Sequence, residues 1–247
     1  MRFSEHEQPF LLGEDFSNGV EFNYHWSAED YVLRSKAAIL CDLVAGKNVL
    51  HIGCVDHSVS LMQAKIRRGK WLHASLANSA ARCYGVDLNA EGIKYMRDEL
   101  GYEDVAAIDV LAEAHAEISG AAWDYLLLAD VLEHLDNPVD FLTRLRKRFL
   151  NNSSALLITV PNAFARENWR FARRGIEAIN TDHRYWFTPY TISKVLARAG
   201  YRPEQIWMCR SGVIKKRSII KNNWLAKRPL LRNNIVVLAR ATQDSSD

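Results

Sequence analysis

Trp123-Asp-Tyr-Leu-Leu-Leu-Ala-Asp130, followed by Val131-Leu-Glu133-His134-Leu-Asp-Asn-Pro138, is the stretch on which the fold turns. The first eight residues are too apolar to alternate, so they predict a strand buried on both faces. Asn137-Pro138 then opens a helix whose inward positions are Val139, Leu142, Leu145 and Phe149. Its last turns carry Arg144, Arg146, Lys147 and Arg148, which suit the negative end of the helix dipole. Upstream, Asn48-Val-Leu-His-Ile-Gly-Cys54 predicts a first buried strand, Arg82–Leu88 a second, and Val105–Val110 a third. Asn89 can cap a helix carrying Ile93, Met96 and Leu100, with Gly101 as its stop. Downstream, 155–160 predicts a strand, Thr188-Pro189 a helix start, and 205–209 and 234–240 the closing strands. Strands separated by helices predict an α/β fold: a Rossmann-like, doubly wound, mostly parallel seven-stranded sheet with helices on both faces. The last two strands are joined by a basic segment without a clear helix pattern, which predicts an antiparallel edge strand.

The chain has 247 residues, enough for one large domain. We expect an arm and helix over 1–45, the helix starting at Ala28 with Tyr31, Ala38 and Val44 inward, and one domain over 46–247. The arm's aromatics Phe16, Phe22, Tyr24 and Trp26 are expected to dock. The net charge of +3 is too small to demand a nucleic-acid partner. No apolar run approaches the roughly 18 residues of a membrane span, and the N-terminal stretch has no basic-then-apolar signal. Cys41, Cys54, Cys83 and Cys209 form no C-x-x-C pair. A reducing, cytoplasmic setting is therefore expected, with no zinc site or disulfide framework.

In a parallel sheet, ligands sit beyond the carboxyl ends of the strands. Gly53 closes the first strand and would let backbone approach a ligand, although a turn glycine alone explains it as well. Asp87 closes the second, where an acid can accept both hydroxyls of a ribose or merely cap a helix. Asp109 follows the third, where it could accept from an adenine amino group or sit on the surface.

Together, Gly53, Asp87, Asp109 and Asp130-Val-Leu-Glu133-His134-Leu-Asp-Asn-Pro138, each at a strand end, resemble class I S-adenosylmethionine-dependent methyltransferases. The chain looks most like the small-molecule branch grouped as methyltransferase type 11 or type 23 domains, over about residues 45–210. Leu-Ile-Thr-Val-Pro-Asn (157–162) and Asp182-His-Arg-Tyr-Trp-Phe-Thr-Pro-Tyr190 also match that branch. The resemblance implies that S-adenosylmethionine lies over the first-strand glycine loop, held by Gly53, Cys54, Asp56, Asp87, Leu88, Asp109 and Asp130. The branch departs here in two places: His51 stands where an acid is usual, and Val55 where a second glycine is usual. Gly53 and Asp87 are 34 residues apart, against roughly 20 in a dinucleotide fold. The extra residues, 56–70, predict a long loop before a helix near 71–82, and Asp56 is read as replacing the missing acid at the cofactor's amino group.

Methyl transfer to a hydroxyl is helped by a general base. His134, just after the fourth strand, and His183, in a loop with Tyr185, Trp186 and Phe187, are the catalytic candidates; a packing role and a loop-anchoring role are their alternatives. His51 is read as a core residue. His57, His73 and His115 have no partner visible in the sequence. Asp130, Glu133 and His134 stand close enough in sequence to bind a divalent ion, but methyl transfer does not require one and no metal site is expected. Residues 210–232 carry eight basic residues, no acid, and interleaved Trp224, Leu225, Leu230 and Leu231. They read either as a solvated excursion or as a site for an anionic substrate or membrane surface. The expected reaction is O-methylation of a small molecule or glycan precursor. The rivals are a non-catalytic cofactor-binding scaffold and an RNA methyltransferase.

Overall fold

The structure is a computed structural model that describes residues 4, 6–13, 19–215 and 217–242. Phe16, named above, and Lys216, one of the eight basic residues of 210–232, lie outside the described residues. The strands are β1 (Asn48–Ile52), β2 (Arg82–Asp87), β3 (Val105–Ala107), β4 (Trp123–Ala129), β5 (Ser153–Pro161), β6 (Tyr201–Cys209) and β7 (Asn234–Ala241). The helices are α1 (Gln8–Leu12), α2 (Lys36–Val44), α3 (Val59–Arg67), α4 (Leu72–Ala77), α5 (Ala90–Asp98), α6 (Ala116–Ser119), α7 (Pro138–Phe149), α8 (Arg166–Ala172), α9 (Pro189–Arg198) and α10 (Ile219–Ala226). The strands form one seven-stranded sheet in the order β3-β2-β1-β4-β5-β7-β6. The expected α/β architecture is therefore present, including the antiparallel β6–β7 edge.

The chain divides into two compact units, and the division passes through β5. One unit runs from Ala37 to Ala129 and adds Lys147–Leu157. Here β1 pairs in parallel with β2 and β4, placing His51 beside Gly85 and Leu127. Val49, Leu50, His51 and Ile52 are all buried, which is why β1 reads as an unbroken run. Met62, Trp71, Ile93, Met96 and Val105 pack together as a core on one side. Asn89 caps α5 as expected, its side chain accepting from Gly92 N–H at 2.9 Å.

The other unit holds the residues up to Lys36, Asp130–Arg146 and those from Ile158 onward. Thr188 caps α9 by accepting from Thr191 N–H at 3.1 Å. The arm docks as expected where it is described: Phe22 packs edge-on to Phe10 at 5.1 Å, and Tyr24 stacks on Tyr190 of α9 at 6.0 Å. Arg146 is not a solvated helix-end charge; it is buried and donates to the Thr242 carbonyl at 3.1 Å.

Four local expectations are corrected. The helix expected from Ala28 is a single 3-10 turn, Ala28–Tyr31, followed by extended chain before α2. Tyr31 and Ala38 point outward, whereas Val44 is buried as expected, and α2 also buries Lys36, Ile39 and Leu40. Residues 56–70 are not a long loop but contain α3, started by Ser58, whose side chain accepts from Leu61 N–H. The helix near 71–82 is only α4, because β2 already begins at Arg82. Finally, 210–232 contains α10 and a 3-10 turn, Pro229–Leu231, hidden in the sequence because Ile219 and Ile220 face outward.

Candidate active site

Each unit carries one group of the expected residues. In the first unit they lie at the ends of β1, β2 and β3. Gly53 has φ +78, a left-handed conformation that glycine adopts without strain. Its N–H and that of Cys54 both donate to the Val86 carbonyl, at 2.8 and 3.3 Å, which turns the chain sharply off β1. The Cys54 side chain goes into the core, so only its backbone is left to face a ligand. Burial pushes its thiol well above the ordinary value, which keeps it neutral.

Asp87 is half-buried and organises this loop. One carboxylate oxygen accepts from Val55 N–H at 2.8 Å and the other from Asn89 N–H at 2.9 Å. Each oxygen keeps a second lone pair, so the acid can still accept from two neighbouring hydroxyls. A left-handed glycine turn beside such an acid fits the ribose and methionine parts of S-adenosylmethionine. Asp56 pairs with Lys65 of α3 and Leu88 is 75% exposed. Asp109 caps its own loop, accepting from Leu111 and Ala112 N–H at 2.8 and 3.2 Å.

The departures at 51 and 55 have structural partners. His51 Nδ1 lies 3.1 Å from Nδ1 of His73, with the two rings stacked at 5.4 Å. His73 thus has the partner that the sequence hid. Burial lowers its pKa to about 4. A Cβ on Gly85 would come within 2.8 Å of His73 Cε1, so this pair requires glycine on β2.

The second unit gathers Lys36, Asp130, Glu133, His134 and His183. Asp130 has φ +56, a left-handed conformation that Asp tolerates better than most residues. Its backbone N–H donates to the Thr159 carbonyl at 3.0 Å. One carboxylate oxygen accepts from Thr159 Oγ1 at 2.7 Å and Asn234 Nδ2 at 3.2 Å, and the other pairs with Lys36. Burial alone would raise this carboxyl, but the Lys36 ammonium and the two hydrogen bonds hold it below the ordinary value. The carboxylate expected at the cofactor is thus engaged by three neighbours.

Glu133, in the 3-10 turn Leu132–His134, is wholly buried, and neither carboxylate oxygen has a hydrogen-bond partner among the described residues. Burial first, and the Asp130 charge second, push it up to about 8. His134 Nδ1 lies 3.1 Å from the Asp182 carbonyl, which can only accept. Nδ1 therefore carries a proton, and in the neutral ring the lone pair is on Nε2. The His183 ring meets His134 edge-on at 4.8 Å. Arg184 staples this loop: its N–H donates to the Glu133 carbonyl at 2.7 Å, its Nη1 to the His134 carbonyl at 2.6 Å, and its Nε pairs with Asp136.

Lys36, Glu133 and Arg184 were missed as site residues. Lys36 carried a signal, since it stands three and four positions before Ile39 and Leu40 on the apolar face of α2. In the basic segment, Val213, Ile219 and Ile220 are exposed beside Lys215, Arg217 and Lys221, and Arg228 lies over the Trp224 ring at 4.5 Å. No helix among the described residues is long and apolar enough to cross a membrane.

A family profile described as a methyltransferase domain matches residues 25–206. The comparison with curated proteins returned no match. Among solved structures, the small RNA methyltransferase HEN1 superimposes with a TM-score of 0.53 at 15% identity, over 93% of this chain and 28% of that one. Magnesium protoporphyrin IX methyltransferase from Synechocystis, with bound S-adenosylhomocysteine, gives 0.48 at 15% identity over 83% and 80%. The N-methyltransferase NodS from Bradyrhizobium japonicum gives 0.49 at 15% identity over 84% and 86%. The likeness to HEN1, at 15% identity, is one of fold, while the profile spans most of the chain: it belongs to the methyltransferase domain family, whose methyl donor is S-adenosylmethionine.

Proposed function

We propose that the protein transfers a methyl group to a hydroxyl of a small molecule or glycan precursor. The observation that carries this reading is the fixed tautomer of His134, whose Nε2 lone pair is set by the Asp182 carbonyl beside His183. When bound, S-adenosylmethionine supplies a methyl already activated by its sulfonium. The chain's part is to hold donor and acceptor, exclude water and take the proton lost by the hydroxyl. Gly53, the Cys54 backbone and Asp87 would hold the cofactor, with Asp56, Leu88, Asp109 and Asp130 as further contacts. His134 would accept the proton at Nε2, and His183 would orient the acceptor or share that task. The Arg184 staple keeps both rings in place without an ordering cost at the moment of reaction.

The scaffold reading needs His51 and Val55 to spoil the glycine loop, but each has a structural partner, in His73 and Gly92. That supports a competent loop. The test is an untargeted mass search for a product one CH2 heavier, using pure protein, cofactor and host extract, with His134→Gln and His183→Gln alongside. Loss of about 10²–10⁴ in kcat with little change in cofactor affinity supports a proton-accepting histidine. Cofactor binding with no product from any acceptor would favour the scaffold.

A further inference from the structure

We propose that Glu133, His134 and His183 form a binding site for a first-row divalent transition-metal cation, of the Mn²⁺, Fe²⁺ or Zn²⁺ class.

Three observations converge on it. First, one carboxylate oxygen of Glu133 and one ring nitrogen from each histidine all lie within 4.8 Å of one another. A cation bound at about 2.1 Å holds its ligands roughly 3.0–3.5 Å apart, so modest side-chain rotation completes the geometry. Second, Glu133 is wholly buried and its carboxylate has no hydrogen-bond partner among the described residues. A buried acid without a partner is costly and calls for a reason. Asp130, three residues earlier, has three partners, and Lys36 is already committed to it. A cation is the partner that Glu133 lacks. Third, the Asp182 carbonyl lies 3.1 Å from His134 Nδ1, the kind of contact by which a backbone carbonyl behind the ring orients a ligating histidine.

The Arg184 staple ties the turn that carries Glu133 and His134 to the loop that carries His183. The ligands are therefore largely placed before a cation arrives. Two imidazoles and one carboxylate select first-row transition metals over Mg²⁺ or Ca²⁺, which prefer all-oxygen sets. Three protein ligands also leave coordination positions open, as catalytic sites do. On the O-methylation reading, those positions would take the acceptor's oxygen. The cation would then lower the hydroxyl's pKa, the proton would leave to solvent, and His134 would serve as a ligand rather than as the base. The role rests on that reading, but the binding does not.

The probe is Mn²⁺, titrated into the metal-stripped full chain without cofactor and followed by electron paramagnetic resonance. One bound Mn²⁺ per chain is expected, displaced by Zn²⁺ and weakened at least tenfold in Glu133→Gln and in His183→Gln. Glu133→Gln should melt no lower than the parent in the absence of metal, since it removes an acid without a partner. No binding, binding unchanged in both variants, or a metal-free Glu133→Gln that melts lower would overturn the inference. S-adenosylhomocysteine binding in EDTA separates the two ideas. If that ligand binds and Mn²⁺ does not, only the cation site falls. If Mn²⁺ binds and no methylated product forms, only the methyl-transfer reading falls. Turnover that is indifferent to EDTA would return His134 to the role of base.

Discussion

The side chain of Val55 occupies the space where a Cβ on Gly92 would stand: the two would be only 2.3 Å apart, measured to Val55 Cγ1. The second glycine that the methyltransferase loop usually carries has in effect moved to the facing helix α5. Gly92→Ala should destabilise the protein by about 1–3 kcal/mol through overpacking. Val55→Ala should relieve most of that loss when combined with it. Chemical denaturation of the two single variants and the double variant checks this, and strict additivity would contradict it.

Asp87 links the glycine loop to the start of α5 and keeps lone pairs for the ribose. Asp87→Ala should weaken S-adenosylmethionine by about 1.5–3 kcal/mol, the scale of hydrogen bonds to a charged group. Calorimetry on a folded variant decides it; unchanged affinity would remove Asp87 from the cofactor site.

Lys36 is the buried cation that holds Asp130. Lys36→Met should cost about 1–3 kcal/mol, below the range for a fully buried pair because the Asp130 side chain is 35% exposed. Adding Asp130→Asn should recover much of the loss, since Asn also tolerates the left-handed backbone at this position. If the double variant melts no higher than Lys36→Met alone, the pair is not the source of the loss.

His73 is held neutral by burial, with its pKa lowered to about 4. Its unfolded value is about 6.5. Between those values the unfolded chain binds a proton that the native chain refuses, so stability falls as pH drops from about 6.5 toward 4. The groups facing it are His51, Cys83, Trp71 and Tyr102. Denaturation at pH 7 and pH 4.5 should show a smaller acid loss for His73→Gln than for the parent. Equal losses would place the acid sensitivity elsewhere.

The basic segment presents Ile219, Ile220 and Val213 among Lys215, Arg217 and Lys221. An anionic lipid surface complements both the charge and the apolar face. Charge reversal of Lys215, Arg217 and Lys221 to glutamate should abolish flotation with vesicles containing acidic lipid, and salt should weaken the parent's binding. A parent chain that stays at the bottom of the gradient while such vesicles float at low salt would make this face simply solvated.

The order of the seven strands and the residues that close β1, β2 and β4 were legible in the sequence, because both follow from local periodicity and from which residues can end an element, whereas α3 and α10 were not. Trp123–Asp130 reads as a buried strand whatever surrounds it, and Asn89 and Thr188 cap their helices with side chains that reach only a few residues. The site itself was less legible. Lys36 pairs with Asp130 across 94 residues, Asn234 reaches Asp130 across 104, and Arg184 ties its loop to the turn at His134 across 50. Val55 finds room only because Gly92 is opposite. No local pattern encodes such pairs, since they exist only once the sheet has brought distant segments together. Whether a buried acid such as Glu133 gains a partner or lacks one is decided by that packing.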